Sequence, residues 1–563
     1  MINDIWKKDR KIAYFSMEIG HDPKMPNYAG GLGILAGDTL KSCADLNVPL
    51  VAVTLLSEEG FFHQRLDAQG NQSEEPERWK VSDVLEPLPD RAVIRLRGRN
   101  IVVKGWITYI QGITGFEVPV IYLDTDCPEN GEWDRGITKR LYNSDREYRI
   151  SQEVVLGIAG YRMLKVMGYK GLERYHLNEG HGSFLIVERI NNTKVHSHES
   201  KPIMERYDFH NLKKKIVFTT HTPVEAGHDS FDPGQVKEIL GDSINGELVD
   251  HLVHNGMFNM THVALDNSKY VNGVAKKHAE VSRKMFPEHP ISSITNGVHS
   301  VSWVSGHLKP VFDRYIKDWF WDPSSFRFAK LIPDDELWSA HMEAKRELVE
   351  FTNSSCGTSL SPDVFTLGFA RRSTPYKRMT LMFSNIDWLK KISADVGKIQ
   401  IILAGKAHPN DGGGKDLIRR VFEIKSQLKG SIEVAYIENY DIGVAKKMVA
   451  GVDVWLNTPQ RPLEASGTSG MKAAHNGVPQ LSTLDGWWIE GCIEDTTGWA
   501  IGGLKDEDDA NDFYNKLEKN IVHKFYNDRT AWIRIMKNAI AFNASYFNTH
   551  RMIKEYVLQG YFI

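Results

Sequence analysis

Short runs rich in β-branched and apolar residues recur along this chain, separated by stretches with helical periodicity. This alternation is the strongest constraint on the fold. Each apolar run needs sheet partners, and each amphipathic helix needs a sheet face to cover. Lys11–Ser16, Val48–Leu55, Ile101–Ile107, Val118–Leu123 and Lys215–Thr219 are predicted strands in the first half. Phe365–Phe369, Ile399–Leu403, Glu433–Ile437 and Asp453–Leu456 continue the pattern in the second, and Ser151–Met167 and Asp334–Phe351 are predicted helices. An α/β architecture follows. At 563 residues the chain exceeds what one core serves, so two or more domains are expected. The aromatic-rich segment Gly306–Ile332, with Trp319-Phe-Trp321 and the breaker Asp322-Pro, is the expected junction. Domains are placed at 1–315 and 316–540, with an amphipathic helix in 541–563 returning toward the first domain.

The net charge of −3 carries no sign of a nucleic-acid surface. Four scattered cysteines have neither metal-type nor disulfide-type spacing. The first ten residues lack the apolar centre of a signal peptide, and Val48–Leu56 is too short to span a bilayer. A cytoplasmic enzyme is expected.

The most informative run is Glu464-Ala-Ser-Gly-Thr-Ser-Gly-Met-Lys472-Ala-Ala-His-Asn-Gly477, just beyond a predicted strand end. Gly467 and Gly470 bracket small hydroxyl residues, so backbone N–H groups can face an anion at a helix start. Lys472 is then placed to form a Schiff base with an aldehyde cofactor whose phosphate fills that cradle. The bland alternative is a glycine-rich loop before an ordinary helix, with a solvated lysine.

Four further segments carry chemistry. Gly368-Phe-Ala-Arg371-Arg372-Ser-Thr-Pro-Tyr376-Lys377-Arg378 places cations after a strand, where guanidinium forks and an ammonium suit phosphate oxygens. Asn27-Tyr-Ala-Gly30-Gly31-Leu32-Gly33 follows the first strand and opens a helix, allowing close backbone approach to an anion. His221 ends a strand, where a hydrogen-bonded structural histidine is the competing reading. In Tyr175-His-Leu-Asn178-Glu179-Gly180-His181, Glu179 and His181 raise a metal site, but no third ligand is evident; no metal is expected.

The Glu464–Gly477 run resembles the pyridoxal-phosphate segment of the α-glucan phosphorylases, and Lys472 matches their cofactor lysine. The resemblance covers about Tyr14 to Gly502 and fits the short bacterial and archaeal forms. It includes Asp124–Asn130, Arg146–Glu153, Ser293–His299 with Asn296, Glu438–Asp441 with Tyr440, and Leu484–Gly486. It implies a GT-B fold, two Rossmann-like domains facing a central cleft. It implies that Lys472, Thr468, Ser469, Gly470 and Arg371 hold pyridoxal 5′-phosphate. It also implies that Arg372 and Lys377, with Tyr376 nearby, hold the substrate phosphate beneath the loop Gly30, Gly31 and Leu32. His221, Asn296, Tyr440, Glu464, Ser466 and Gly467 would then meet the sugar or its phosphate.

Arg371 replaces a lysine of the longer forms, Asp441 an arginine and Gly20 a tyrosine, while His475 stands where an apolar residue is usual. The implied reaction is phosphorolysis of α-1,4-glucan to α-glucose 1-phosphate with retention, in which phosphate supplies the acid. That accounts for the lack of a paired-carboxylate signature. A homodimer is a family-based expectation, and no effector site is evident. The alternatives are a nucleotide-sugar glucosyltransferase of the glycogen synthase type, and a glucan-binding protein with a decayed site. Trp487-Trp488 is read as packing before cleft lining.

Overall fold

The computed structural model describes residues 7–193, 201–503 and 508–562. The chain forms two compact units. Unit one comprises Met1–Phe61, Pro76–Ile294 and Ile553–Ile563; unit two comprises Phe62–Glu75 and Thr295–Met552. No helix among the described residues is long and apolar enough to cross a membrane.

Unit one is built on a nine-stranded sheet. Its strands are β1 (Ile12–Ser16), β2 (Leu50–Leu55), β3 (Glu86–Leu96), β4 (Arg99–Gln111), β5 (Glu117–Asp124), β6 (Arg174–Asn178), β7 (Ile216–Thr219), β8 (Tyr270–Gly273) and β9 (Ser292–Ser293). They lie in the order β9-β8-β7-β6-β1-β2-β5-β4-β3. All neighbours from β9 to β5 are parallel, and β4 and β3 add antiparallel edges. β1 and β2 are buried at every position, as central parallel strands covered on both faces must be. β4 instead buries Ile101, Val103, Gly105 and Ile107 in alternation, because one of its faces meets solvent.

The predicted helix at Ser151–Met167 begins earlier, at Arg146, where the Asp145 carboxylate accepts from the Glu147 and Tyr148 amides. It runs through a π-helical turn at Val155–Ala159 to Val166. The last residues join unit one by buried hydrogen bonds. Tyr561 Oη lies 2.8 Å from His176 Nδ1, and Tyr556 Oη accepts from Asn272 Nδ2 at 3.1 Å.

Unit two holds β10 (Phe365–Ala370), β11 (Ile399–Ala404), β12 (Glu433–Ile437), β13 (Val454–Asn457), β14 (Gln480–Thr483) and β15 (Gly498–Ile501). The order is β12-β11-β10-β13-β14-β15, all parallel. The chain therefore winds outward in one direction from β10 and in the other from β13.

The aromatic segment Gly306–Ile332, expected to hold the junction, packs inside this unit. Phe312, Trp319 and Phe326 are buried in its core, with Phe312 and Phe326 ring centroids 5.2 Å apart. The division by contacts falls earlier, at Ile294/Thr295. The stretch expected as one terminal helix is broken at 545–548, because Phe547 is buried against Trp487 with ring centroids 4.7 Å apart. There the backbone also bridges Val298 at Asn548.

The hairpin of Phe62–Leu66 and Gln72–Pro76 is tied into unit two by buried amides. Gln64 Nε2 donates to Gly405 O at 2.9 Å. Gln72 Nε2 donates to Ala407 O at 2.9 Å, while its Oε1 accepts from Ala407 N at 3.0 Å. Gln72→Ala leaves both Ala407 groups without these partners. It is expected to destabilise unit two by about 2 kcal/mol or more, measured as a shift in urea midpoint.

Candidate active site

In an open parallel sheet, ligand groups gather beyond the carboxyl ends of the strands where the winding direction reverses. In unit two that place lies between β10 and β13, and both strands lead into charged loops. Arg371 follows β10 directly, and Lys377 ends the following 3-10 turn Pro375–Lys377. Glu464 lies on the loop after β13. Its Oε2 accepts from Arg371 Nη2 at 2.6 Å and Lys377 Nζ at 2.5 Å. Lys377 also sits 4.4 Å from the Tyr376 ring centroid. Burial alone would push the Glu464 carboxyl up, but Arg371 and then Lys377 overcome it and hold it at about 2.

Asp485, beyond β14, accepts from the Glu464 and Gly486 amides, each at 2.9 Å. Burial pushes its carboxyl up to about 6. Two neighbouring carboxyls are thus driven apart, one ionised throughout the neutral range and one able to carry a proton. Burial raises the Tyr440 phenol, near Arg371. Asp441, where longer forms carry arginine, caps the next helix by accepting from Val444 N at 2.8 Å. The exposed Arg372 makes no ion pair among the described residues.

Lys472 is buried on the short helix Ser469–Ala474, with its Nζ 3.9 Å from the Trp303 ring centroid. Asn476 Nδ2 donates to both Trp303 O at 2.8 Å and Lys472 O at 3.0 Å, tying the ring to the lysine turn. His475 is wholly buried. Its Nδ1 lies 2.8 Å from Met471 O, which can only accept, so Nδ1 carries the proton; Nε2 lies 3.0 Å from Ser300 Oγ. Its role is therefore a brace beside Lys472. Trp303 and Ser300 were not anticipated from sequence, because no periodicity or motif links them to Lys472; Asn476 lies in the same run as Lys472, but no pattern there pointed to its role.

Gly470 leaves no room for a side chain, since a Cβ there would fall 1.4 Å from Gln480 Oε1. Gly467 adopts φ +76° beside the Glu464 side chain. The Ser469 hydroxyl accepts from Trp455 Nε1 at 3.0 Å. The Ser466 hydroxyl and Asn296 Oδ1 are buried without a hydrogen-bond partner among the described residues. A buried lysine on this short helix and an orphaned hydroxyl on the glycine-bearing loop before it fit a group that offers both a carbonyl carbon and polar oxygens. Trp487 and Trp488 are buried in packing.

Unit one holds the remaining sequence candidates. Glu18 Oε2 accepts from Ala29 N at 2.5 Å and Gly30 N at 3.2 Å, while its Oε1 accepts from Tyr142 Oη at 3.0 Å. The Gly30 amide is thus held by a carboxylate, and Gly31 and Leu32 begin the helix Gly31–Asp45. Tyr28 fills the space beside Gly20, where a Cβ would lie 2.7 Å from its ring. Asn178 Nδ2 donates to Ser16 Oγ at 3.0 Å, which turns its Oδ1 toward His221 Nε2 at 2.7 Å. Nε2 therefore carries the His221 proton and Nδ1 is an acceptor. Burial lowers this imidazole to about 3, so it is neutral at physiological pH. Glu179 accepts from His221 N and Thr222 Oγ1, whereas His181 faces Asp229, so the two candidate metal ligands turn to different partners.

A family model described as carbohydrate phosphorylase matches residues 240–500. The maltodextrin phosphorylase of Thermococcus litoralis is 39% identical over 99% of this chain and 71% of its own length. The glycogen phosphorylase of Aquifex aeolicus is 35% identical over 99% of this chain and 87% of its own. An uncharacterized protein of Methanocaldococcus jannaschii is 32% identical over 98% and 99% of the two chains.

The Glu464 carboxyl, ordinarily at 4.5 and held at about 2, contributes stability that is present above pH 4.5 and lost as pH falls through about 2. Asp485 acts with the opposite sign: its contribution is present below pH 3.8 and lost as pH rises through about 6. Glu464→Gln is expected to flatten the acid-side fall in urea-unfolding stability. An equally deep fall in that variant would assign acid sensitivity to other groups.

Proposed function

The chain belongs to the carbohydrate phosphorylase family, and we propose that it cleaves α-1,4-glucan non-reducing ends with phosphate, carrying pyridoxal 5′-phosphate on Lys472. The observation that carries this reading is the Arg371–Lys377–Glu464 cluster at the ends of β10 and β13. Two cations against one carboxylate leave a net positive charge, suited to an incoming phosphate. The 3-2-1-4-5-6 strand order of unit two supports reading it as Rossmann-like, and we read both units so, as in the GT-B class of glycosyltransferases.

In the proposed reaction the glycosidic C1–O4 bond breaks as the substrate phosphate gives its proton to O4. A phosphate oxygen then bonds C1 on the same face, yielding α-glucose 1-phosphate and a glucan one unit shorter. Lys377 and Arg372 of unit two hold that phosphate, with Tyr376 beside them; the amides of Gly31 and Leu32 are the anion donors we assign within unit one. Glu464 shares Oε2 with the cations, and Oε1 is the atom we assign to a sugar hydroxyl. Asn296 Oδ1, Tyr440 and the Ser466–Gly467 turn provide further polar contacts. His221, neutral and fixed by Asn178, orients the glucosyl unit as a hydrogen-bonding dipole and not as an acid. The bound cofactor supplies a phosphate group for acid–base exchange; Lys472, Thr468, Ser469, Gly470 and Arg371 are the residues we assign to it. A cytoplasmic homodimer completes the proposal.

Borohydride reduction of the purified protein is expected to fix a cofactor absorbance onto the Lys472 peptide. No band, and none after adding pyridoxal phosphate, would favour a nucleotide-sugar glucosyltransferase. Lys472→Ala should lose both cofactor and phosphorolysis. Arg372→Ala should raise the phosphate KM roughly tenfold or more and spare the glucan KM, since a hydrogen bond to a charged group is worth about 1.5–3 kcal/mol. An unchanged phosphate KM would remove Arg372 from the site.

A further inference from the structure

The loops that present Lys377 and Glu464 are joined by a third segment. Arg378, next to Lys377, is held in the left-handed region at φ +48°, where a non-glycine residue persists only if its surroundings enforce it. Its Nε donates to Thr458 O at 2.8 Å, and its Nη2 to Pro459 O at 3.1 Å and Asp509 Oδ2 at 2.6 Å. Arg461, on the loop leading to Glu464, donates Nη2 to the other oxygen, Asp509 Oδ1, at 2.8 Å. Asp509 is fully buried at the start of the helix Asp509–Lys516.

The two loops also touch directly. Thr458 Oγ1 donates to Lys377 O at 3.0 Å, and Gln460 N donates to Tyr376 O at 2.7 Å. Only a residue without a side chain at position 502 admits this arrangement, since a Cβ there would lie 1.7 Å from Asp509 Oδ1. One carboxylate thus closes two guanidinium forks, one on each loop. A buried carboxylate facing two arginines is favourable only while both stay in place, so it fixes the spacing of the loops.

We propose that Asp509 is a positioning residue: through Arg378 and Arg461 it holds Lys377 and Glu464 in the register that receives phosphate and sugar. This rests on the reading of Lys377 as a phosphate-binding group. Asp509→Asn keeps the shape but turns a donor toward an arginine. In the holoenzyme it is expected to raise the phosphate and glucan KM values about tenfold, because small misplacements of binding groups are costly. Arg378→Lys keeps the charge but not the fork, and acts on the Lys377 loop. It should raise the phosphate KM at least about fivefold and leave the glucan KM within about twofold. A merely structural role lowers thermal stability without that split.

Both KM values unchanged in Asp509→Asn, or both raised alike in Arg378→Lys, overturn the proposal. If Asp509→Asn does not fold, Arg378→Lys decides alone. Lys377→Ala is measured alongside. An unchanged phosphate KM there defeats the phosphate reading instead. The clamp is then judged by hydrogen exchange at the Gln460 amide: faster exchange in Asp509→Asn supports it, and unchanged exchange overturns it.

Discussion

Three charges meet at one carboxylate oxygen in unit two, with Arg371 at 2.6 Å and Lys377 at 2.5 Å from Glu464 Oε2. Removing such groups from water costs several kcal/mol each, which is recovered only if their geometry is held. The surrounding structure supplies that hold. The parallel sheet delivers the two loops side by side, the Asp485 carboxyl fixes the Glu464 amide, and Thr458 takes up the carbonyls beside Lys377. A cluster with one surplus positive charge, already desolvated, binds an anion with little further reorganisation.

Unit one uses dipoles where unit two uses charge. His221 is kept neutral by burial and aimed by Asn178, whose orientation is set in turn by Ser16 on β1. Glu179, at φ +74°, is strained, and its carboxylate accepts from the backbone and hydroxyl that follow β7. Strain of this kind persists where a polar group must point in one direction. The glycine loop is handled similarly, since Glu18 occupies two of its amides and is itself held by Tyr142.

Much of this was legible in the sequence. Parallel strands covered on both faces appear as unbroken apolar runs, so Ile12–Ser16, Ile399–Ala404 and Glu433–Ile437 were found within a residue at each end. Arg371, Lys377 and Glu464 were singled out, but not their mutual pairing, which needs the order of β10 and β13. Trp303 beside Lys472 and Asp509 beside Arg378 were invisible, because their partners are remote in sequence and their own neighbourhoods carry no pattern. The aromatic segment around Trp319 misled for a related reason: aromatics flanked by breakers mark a linker or a core equally well, and burial alone separates the two. Asp441 shows that a departure from a family pattern can serve local structure, here a helix cap.

The division of the chain between its units also bears on synthesis. The hairpin Phe62–Glu75 is made early, yet its buried glutamines find Gly405 and Ala407 only after hundreds of further residues have emerged. Conversely, the hydroxyls of Tyr556 and Tyr561, which satisfy Asn272 and His176, arrive long after the strands they serve. Unit two is complete only once Met552 has been made, and unit one only with the segment that follows it. Until those last residues emerge, Asn272 and His176 lack the hydroxyl partners they have in the finished unit.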